Sequence, residues 1–395
     1  MRKRKLNAIF MSLMLSAGLL AACGTKDDSA AGGKADGDTI KVGVNLELSG
    51  NVASYGSAIN DGIKLAVDEI NKEGIDGKKI KLITVDNKSD AAESTNAALK
   101  LISQDQVSVI LGASVTANSM AQVQLAQENK IPVIAPPSTA PELTYKDGKL
   151  NDFIFRTCFI DPYQGKIGAE YATKDLGLKN AAILVDNSSD YSLGLTKAFK
   201  DTLSKNGGKV VAQEAYMAKD TDFRSILTNI KAKNPEFIYV PGYYEEVGLI
   251  LKQAKEIGLN VPFVGGDGLA SPTLVDIAGT DAVNNVYFTN HYSSSDTAEI
   301  VQNFVKAFEA KYKKTPDAFN ALGYDTGYLL ADAIKRAGGG DPEKIKKALE
   351  ETEGLSLVTS DNFKFDKQHN PIKSAVILSY ENGKEVFKTK INPES

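Results

Sequence analysis

The chain has 395 residues, 46 of them basic and 50 acidic, and 42% hydrophobic against 24% charged. That length and apolar share suit a folded protein of about two domains and exclude a disordered or fibrous chain. A formal charge of -4 argues against recognition of nucleic acid or anionic lipid through the protein surface.

In chain order, Arg2, Lys3, Arg4 and Lys5 precede an apolar run from Leu6 to Leu20 that is short for a bilayer span, and Ala21-Ala22-Cys23 follows. This is the form of a secretory leader. Leu20-Ala21-Ala22-Cys23 resembles a bacterial lipobox, which implies that residues 1–22 are a signal peptide and that Cys23 is lipidated. An ordinary leader with an incidental cysteine is the alternative. Removing the leader's four positive charges takes the formal charge from -4 to -8. Attachment to the membrane would then come from acyl chains alone, at about 0.8 kcal/mol per buried methylene. Residues 23–38 are small, polar and glycine-rich and read as a flexible tether.

From Lys41 the pattern becomes strand and helix in turn. Strands are expected at Lys41 to Leu46, Ile80 to Val85, Val107 to Gly112 and Ile131 to Ala135. Helices are expected around Ile59 to Ile70, stopped by Gly74, then over Ala91 to Ile102 and Ala117 to Glu128. The series then repeats at an offset of roughly 130–140 residues. Its strands are Ala181 to Asp186, a short one at Val210-Val211, Phe237 to Val240 and Val261 to Gly265. Its helices are Leu193 to Leu203, Phe223 to Lys233 and Val247 to Ile257. Val286 to Thr289 reads as a further strand, Glu299 to Thr352 is mostly helical, and strands are expected at Ala375 to Tyr380 and Val386 to Lys390. Apolar strands alternating with amphipathic helices predict doubly wound parallel sheets, here an α/β fold of two lobes. Residues 39–157 and 293–366 are assigned to lobe 1, and 161–289 and 371–395 to lobe 2. A three-segment hinge falls near 158–160, 290–292 and 367–370.

The catalytic vocabulary is poor. Beyond Cys23 the single cysteine is Cys158, set in an apolar run and read as a buried small hydrophobe. His291 and His369 stand in no metal or catalytic motif, so no metal, cofactor or enzymatic activity is expected. Asp86 to Asp90 lacks calcium-loop spacing, and Gly338-Gly339-Gly340 reads as a helix stop.

Ligands of open parallel sheets bind beyond the carboxyl ends of the strands. Those segments are Ser49–Tyr55, Gly112–Asn118 and Pro136–Thr144 in the first half, and Asn187–Tyr191, Pro241–Glu246 and Gly265–Ala270 in the second. They hold hydroxyls and glycines on one side, and tyrosines with an acid on the other. The set suits a zwitterion with an apolar side chain. Thr116 precedes a helix, and Thr139-Ala140-Pro141-Glu142 has capping-box form, so either could hold a carboxylate at a helix start. Asp267 in Gly265-Gly266-Asp267-Gly268 could receive an ammonium, with Tyr55, Tyr191 and Tyr243 supplying ring faces. Each has a plainer role open to it: Thr139 as a cap alone, Asp267 as a turn residue, the tyrosines as rim residues.

Several stretches together resemble the branched-chain amino acid substrate-binding proteins of ABC importers. They are Leu48-Ser49-Gly50 with Ser54-Tyr55-Gly56, Pro136 to Thr144, Phe155-Arg156-Thr157 with Asp161 and Gln164-Gly165, Pro241-Gly242-Tyr243, and Gly265 to Gly268. The resemblance implies the type I periplasmic-binding fold with ligand between the lobes. It places Thr116 on the ligand carboxylate, with Ser114 a competitor through a shifted alignment. Pro137 and Thr139 would grip the α-groups, Asp267 the ammonium, and Tyr243 the α-substituents. Tyr55, Tyr191 and Phe319 would wall the side chain. The partners implied are an amino-acid ligand and ABC permease subunits, for a monomer on the outer face of the cell membrane. A sensing receptor of the same fold, or a binder of another small amino acid, amide or aromatic acid, is the alternative.

Overall fold

The computed structural model describes residues 39–393; the expected leader, the tether up to residue 38 and Cys23 lie outside them. Its first sheet is built from β1 (Thr39–Leu46), β2 (Lys79–Asp86), β3 (Val109–Gly112), β4 (Val133–Ala135) and, after the small hairpin β5 (Tyr145–Lys146) and β6 (Lys149–Leu150), β7 (Ile154–Arg156). The strands are all parallel in the order β2-β1-β3-β4-β7, with Asn45 of β1 opposite Gly112 of β3. The strand order reverses at β1, with β2 on one side of it and β3, β4 and β7 running away on the other. The crevice beyond β1 and β3 is therefore where such a sheet accepts a ligand.

The helices between these strands are α1 (Ala53–Glu73), α2 (Ala91–Ser103), α3 (Thr116–Met120) and α4 (Val123–Asn129). The single helix expected over Ala117–Glu128 is thus two. Between them the buried Gln122 turns inward, donating to the Gly112 carbonyl (2.8 Å) and accepting from Asn45 Nδ2 (3.1 Å). A polar side chain with two such partners inside the sheet edge outweighs an unbroken helix.

The chain then enters α5 (Asp161–Glu170) and a second sheet of β8 (Asn180–Asp186), β9 (Lys209–Tyr216), β10 (Phe237–Tyr239), β11 (Phe263–Gly265) and β12 (Val286–Asn290). The expected short strand at Val210 is eight residues long because β9 pairs with β8 along its length. Helices α6 (Asp190–Lys205), α7 (Arg224–Lys231), α8 (Tyr244–Glu256) and α9 (Pro272–Ala278) alternate with these strands.

After β12 come α10 (Glu299–Tyr312), α11 (Ala318–Ala337) and α12 (Pro342–Glu350), then the hairpin β13 (Leu355–Leu357) and β14 (Ser360–Phe363). These helices return to the first sheet. α11 lies so close on α1 that a Cβ at Gly62 would stand 2.1 Å from the Asn320 carbonyl oxygen, and one at Gly323 2.2 Å from that of Ile59. Behind this crossing Phe304 and Phe308 of α10 are 1% and 0% exposed; burial of such side chains is worth about 1.5–3 kcal/mol each.

Finally β15 (Ala375–Glu381) and β16 (Lys384–Ile391) add antiparallel strands to the second sheet, whose order is β16-β15-β12-β11-β10-β8-β9. The chain therefore passes between the sheets after β7, after β12 and before β15. Lys373 ties two of these passages together, donating from a buried Nζ to the Thr157 carbonyl (3.2 Å) and to Thr359. Two parallel-centred sheets with helices on their faces bear out the expected α/β class. Among the described residues no helix is long and apolar enough to cross a membrane.

Candidate functional site

The strand ends of the two sheets meet across a narrow cavity. Tyr55, Thr116, Pro137 and Phe319 line it from the first sheet and its helices, and Tyr191, Tyr243 and Asp267 from the second. Seven of the eight ligand-binding residues expected from sequence are thus brought together. The free space between them is about 20 Å³, room for roughly one water. The walls also touch directly. The Tyr55 hydroxyl donates to the Gly268 carbonyl and accepts from the Tyr244 N–H (3.2 Å), and Ser54 Oγ lies 2.8 Å from Ser271 Oγ. Nothing much larger than water fits between the walls as they stand.

Thr139 is the eighth residue, and it lies behind the wall. It is fully buried, and its carbonyl accepts from the Asp161 N–H (3.0 Å). The expected capping box does not form. Residues Pro141–Leu143 make a single 3-10 turn with Ala140 at its cap position and no side-chain cap. What shapes this loop is Arg156, buried on β7, which donates to the carbonyls of Ser138 (2.8 Å) and Ala140 (2.7 Å). The carbonyls of a loop with two consecutive prolines have few N–H groups to pair with, and a guanidinium supplies them.

The loop at the start of α3 also differs from expectation. Thr116 is the first helical residue rather than the cap, and Val115 at the cap position makes no side-chain cap. The N–H groups of Ser114 (2.9 Å) and Val115 (3.2 Å) are already bonded to the buried Glu47 carboxylate, which also accepts from Asn118 Nδ2 (2.8 Å). Glu47 escaped the sequence reading, which began its first segment at Ser49; its signal is an acid directly after the apolar strand β1. Ser114 lines the cavity too, and its buried hydroxyl has no hydrogen-bond partner among the described residues.

Across the cavity the rings of both walls form a row. Phe319 packs on Tyr55 (centroids 4.5 Å), Tyr55 meets Tyr243 edge-on (5.9 Å), and Tyr243 stacks on Tyr191 (5.1 Å). Phe319 reaches the row because α11 is capped by Asp317, whose side chain accepts from the Asn320 N–H (2.9 Å), while Asn320 Nδ2 donates to the Ala58 carbonyl of α1 (2.7 Å).

Asp267 closes the far end and is 3% exposed. The Tyr191 hydroxyl donates to Oδ1 (2.8 Å) and accepts from the Gly268 N–H (2.9 Å), and His291 Nε2 lies 2.9 Å from Oδ2. Burial first, and Asp267 second, push the Tyr191 phenol well above its usual range, so it is a neutral donor. Burial lowers the His291 pKa to about 4 against the pull of Asp267. A Cβ at Gly266 would stand 2.5 Å from the Tyr191 hydroxyl and one at Gly268 2.5 Å from the Gly242 carbonyl. Only glycines allow Asp267 to sit between these groups. Behind it, Gln164 Oε1 accepts from the Asp267 N–H (3.2 Å) and from Thr289 (2.8 Å), while its Nε2 donates to Asp161 (3.2 Å). Burial, with Asp267 nearby, pushes the Asp161 pKa up to about 7, against the Thr139 hydroxyl and Gln164, which favour the charged form.

Cys158 is fully buried, its thiol donates to the Ser138 carbonyl (3.3 Å), and burial raises its pKa to about 12. It packs as a small hydrophobe, not as a thiolate nucleophile. Among the described residues no group of three or more His, Cys, Asp or Glu side chains is placed to hold a metal ion.

Comparison with known proteins gives the family and the fold. Residues 39–385 match the family model described as periplasmic binding protein. The chain is 33% identical over 315 residues to the Leu/Ile/Val-binding protein BraC3 of Rhizobium johnstonii, covering 79% of this chain and 83% of that one. It superposes with a TM-score of 0.85 on the leucine-binding protein LivK of Thermotoga maritima, at 36% identity, covering 90% of this chain and 99% of that one. The branched-chain amino acid transporter substrate-binding protein LivJ of Streptococcus pneumoniae, solved with isoleucine, gives 0.84 at 38% identity over 90% and 99%.

Proposed function

The chain belongs to the periplasmic binding protein family, and from that premise we propose that it captures a branched-chain amino acid between its two walls and passes it to an ABC importer. The observation that carries this reading is the pairing across the cavity. A buried carboxylate held by a phenol and an imidazole, Asp267, stands at one end. Hydroxyl-bearing Ser114 and Thr116 line the same small cavity from the first sheet, so both α-groups of one amino acid can be met together, and a row of rings completes the walls. An ammonium suits the first, a carboxylate the second, and an aliphatic side chain the rings. The names of the Rhizobium, Thermotoga and Streptococcus relatives support the same ligand class.

The protein makes and breaks no covalent bond in this reading. It works as a monomer outside the cytoplasmic membrane, held by lipid on Cys23, and its macromolecular partner is the permease. The three passages between the sheets, near 158–160, 290–292 and 367–370, serve as the hinge between lobes 39–157 with 293–366 and 161–289 with 371–395. A ligand that touches both walls favours closure, whereas one touching a single wall equally in both states shifts nothing. One methylene in an apolar pocket is worth about 1–3 kcal/mol, so leucine, isoleucine and valine should differ modestly.

A thermal-shift panel of the twenty L-amino acids, amides, sugars and aromatic acids on refolded protein beginning after Cys23 tests the reading. A ligand at 100 times its dissociation constant adds about 2.7 kcal/mol. Shifts led by leucine, isoleucine and valine are expected. Shifts with sugars or aromatic acids alone would overturn the assignment.

A further inference from the structure

His291 has no place in the ligand contacts assigned above, yet it is built into the site. It follows β12 directly, where the chain leaves the second sheet. Its ring is buried and stacks on Phe159 (centroids 3.8 Å, 24° between planes), which lies on the passage after β7. One ring therefore joins two of the three passages. Its Nε2 is 2.9 Å from Asp267 Oδ2, while Nδ1 has no hydrogen-bond partner among the described residues.

A carboxylate offers only acceptors, so this contact fixes the ring proton on Nε2. With Nδ1 buried and unpartnered among the described residues, a second ring proton would have no acceptor, so the donor is neutral. A lysine or arginine in its place would orient Asp267 equally well but would cancel its charge and compete with an incoming ammonium. The Tyr191 hydroxyl on Oδ1 is a second donor of the same kind. Burial, which holds the imidazole pKa near 4, keeps this arrangement at neutral pH. The main chain of Asp267 is reached from the same stretch, because the Thr289 hydroxyl and the Asp267 N–H both donate to Gln164 Oε1.

We propose that His291 is a positioning residue for the ligand's ammonium: its neutral Nε2–H aims the Asp267 carboxylate without neutralising it and ties it to the passages on which the walls move. The proposal rests on the assignment of Asp267 as the ammonium partner.

Titration calorimetry with L-leucine at neutral pH tests it on His291→Gln, His291→Phe and Asp267→Asn, with the unfolding midpoint of each ligand-free variant measured alongside. Glutamine can place an N–H near Nε2, and phenylalanine keeps the stacking on Phe159 without a donor. Binding within about fivefold of wild type is expected for His291→Gln, and a loss of about 10- to 100-fold for His291→Phe, the range for one hydrogen bond to a charged group. Equal affinity in wild type and His291→Phe would overturn the proposal, as would equal losses in both His291 variants. Wild-type affinity in Asp267→Asn would instead overturn the ammonium assignment beneath it. Nitrogen NMR of the wild-type protein gives a readout independent of any fold defect. With two histidines in the chain, His369→Gln assigns the signals. The expected spectrum shows His291 protonated on Nε2 and shifted by saturating leucine; an Nδ1–H ring, or one indifferent to leucine, would overturn the proposal.

Discussion

From the first sheet the cavity meets loops whose shape is set by charged groups standing behind them: Glu47 under Ser114 and Val115, Arg156 under Ser138 and Ala140. From the second sheet it meets side chains that carry the chemistry themselves, Asp267 with Tyr191 and Tyr243. The difference decides what a substitution does. On the second wall, removing a lining side chain removes a ligand contact. On the first wall the groups that shape the loops, Glu47 and Arg156, do not line the cavity, and their loss should appear as instability before it appears as lost affinity.

Asp267→Ala should show the largest binding effect. It leaves the Tyr191 hydroxyl and His291 Nε2 without their acceptor and the ammonium without its counter-charge, and breaking a buried pair costs about 3–5 kcal/mol. L-leucine affinity by calorimetry should fall at least about 100-fold. An unchanged dissociation constant would put the second wall on the same footing as the first.

Glu47→Ala should do the reverse. The N–H groups of Ser114 and Val115 lose their acceptor, each worth about 1–3 kcal/mol when left unmade, while Asn118 Nδ2 keeps Asn87 Oδ1 (3.3 Å). Urea unfolding of the ligand-free protein should show a loss of about 2–4 kcal/mol. Full stability would mean that the α3 loop does not depend on the group behind it.

Ser114→Ala and Thr116→Ala sharpen the comparison by asking which hydroxyl takes the carboxylate. One hydrogen bond to a charged group is worth about 1.5–3 kcal/mol, so the variant that matters should lose roughly tenfold or more in affinity. The unpartnered hydroxyl of Ser114 makes it the expected loser.

The smallest effect concerns the buried pair behind Asp267. Asp161 has its pKa raised to about 7 by burial, so the folded state holds its proton where the unfolded state does not. Its contribution to stability therefore falls as pH rises from about 4 to 7. His291, lowered to about 4, works the other way, its contribution being lost as pH falls below about 6.5. In Asp161→Asn the first slope vanishes, and melting temperatures recorded across this window should rise more steeply with pH than in wild type. Parallel curves would place Asp161 outside this balance.

The architecture was legible because apolar strands and amphipathic helices are local patterns, and the strand-end rule then pointed to the loops of both walls. Asp267 and the three tyrosines could be found that way. Phe319 could not: it reaches the cavity through the close crossing of α11 on α1 at Gly62, and only family resemblance marked it. Glu47 and His291 gave no motif because their partners are 67 and 24 residues away and meet only in the folded chain. Arg156, though inside the stretch Phe155-Arg156-Thr157, showed no role because its partner is 18 residues away. Thr139 shows the converse. Its capping-box pattern was plain in the sequence, but the buried Arg156 holds the loop and only a 3-10 turn follows.

The central claim is that the cavity recognises both ends of an amino acid and its branched side chain at once. Calorimetry of the wild-type protein against L-leucine, L-isoleucine and L-valine, with leucinamide and 4-methylpentanoate as partners lacking one charged end each, tests it most directly. The three amino acids should bind within about 100-fold of one another, and the two single-ended analogues should show no measurable heat. Binding of 4-methylpentanoate as tightly as leucine would contradict the account, because Asp267 would then face no ammonium at all.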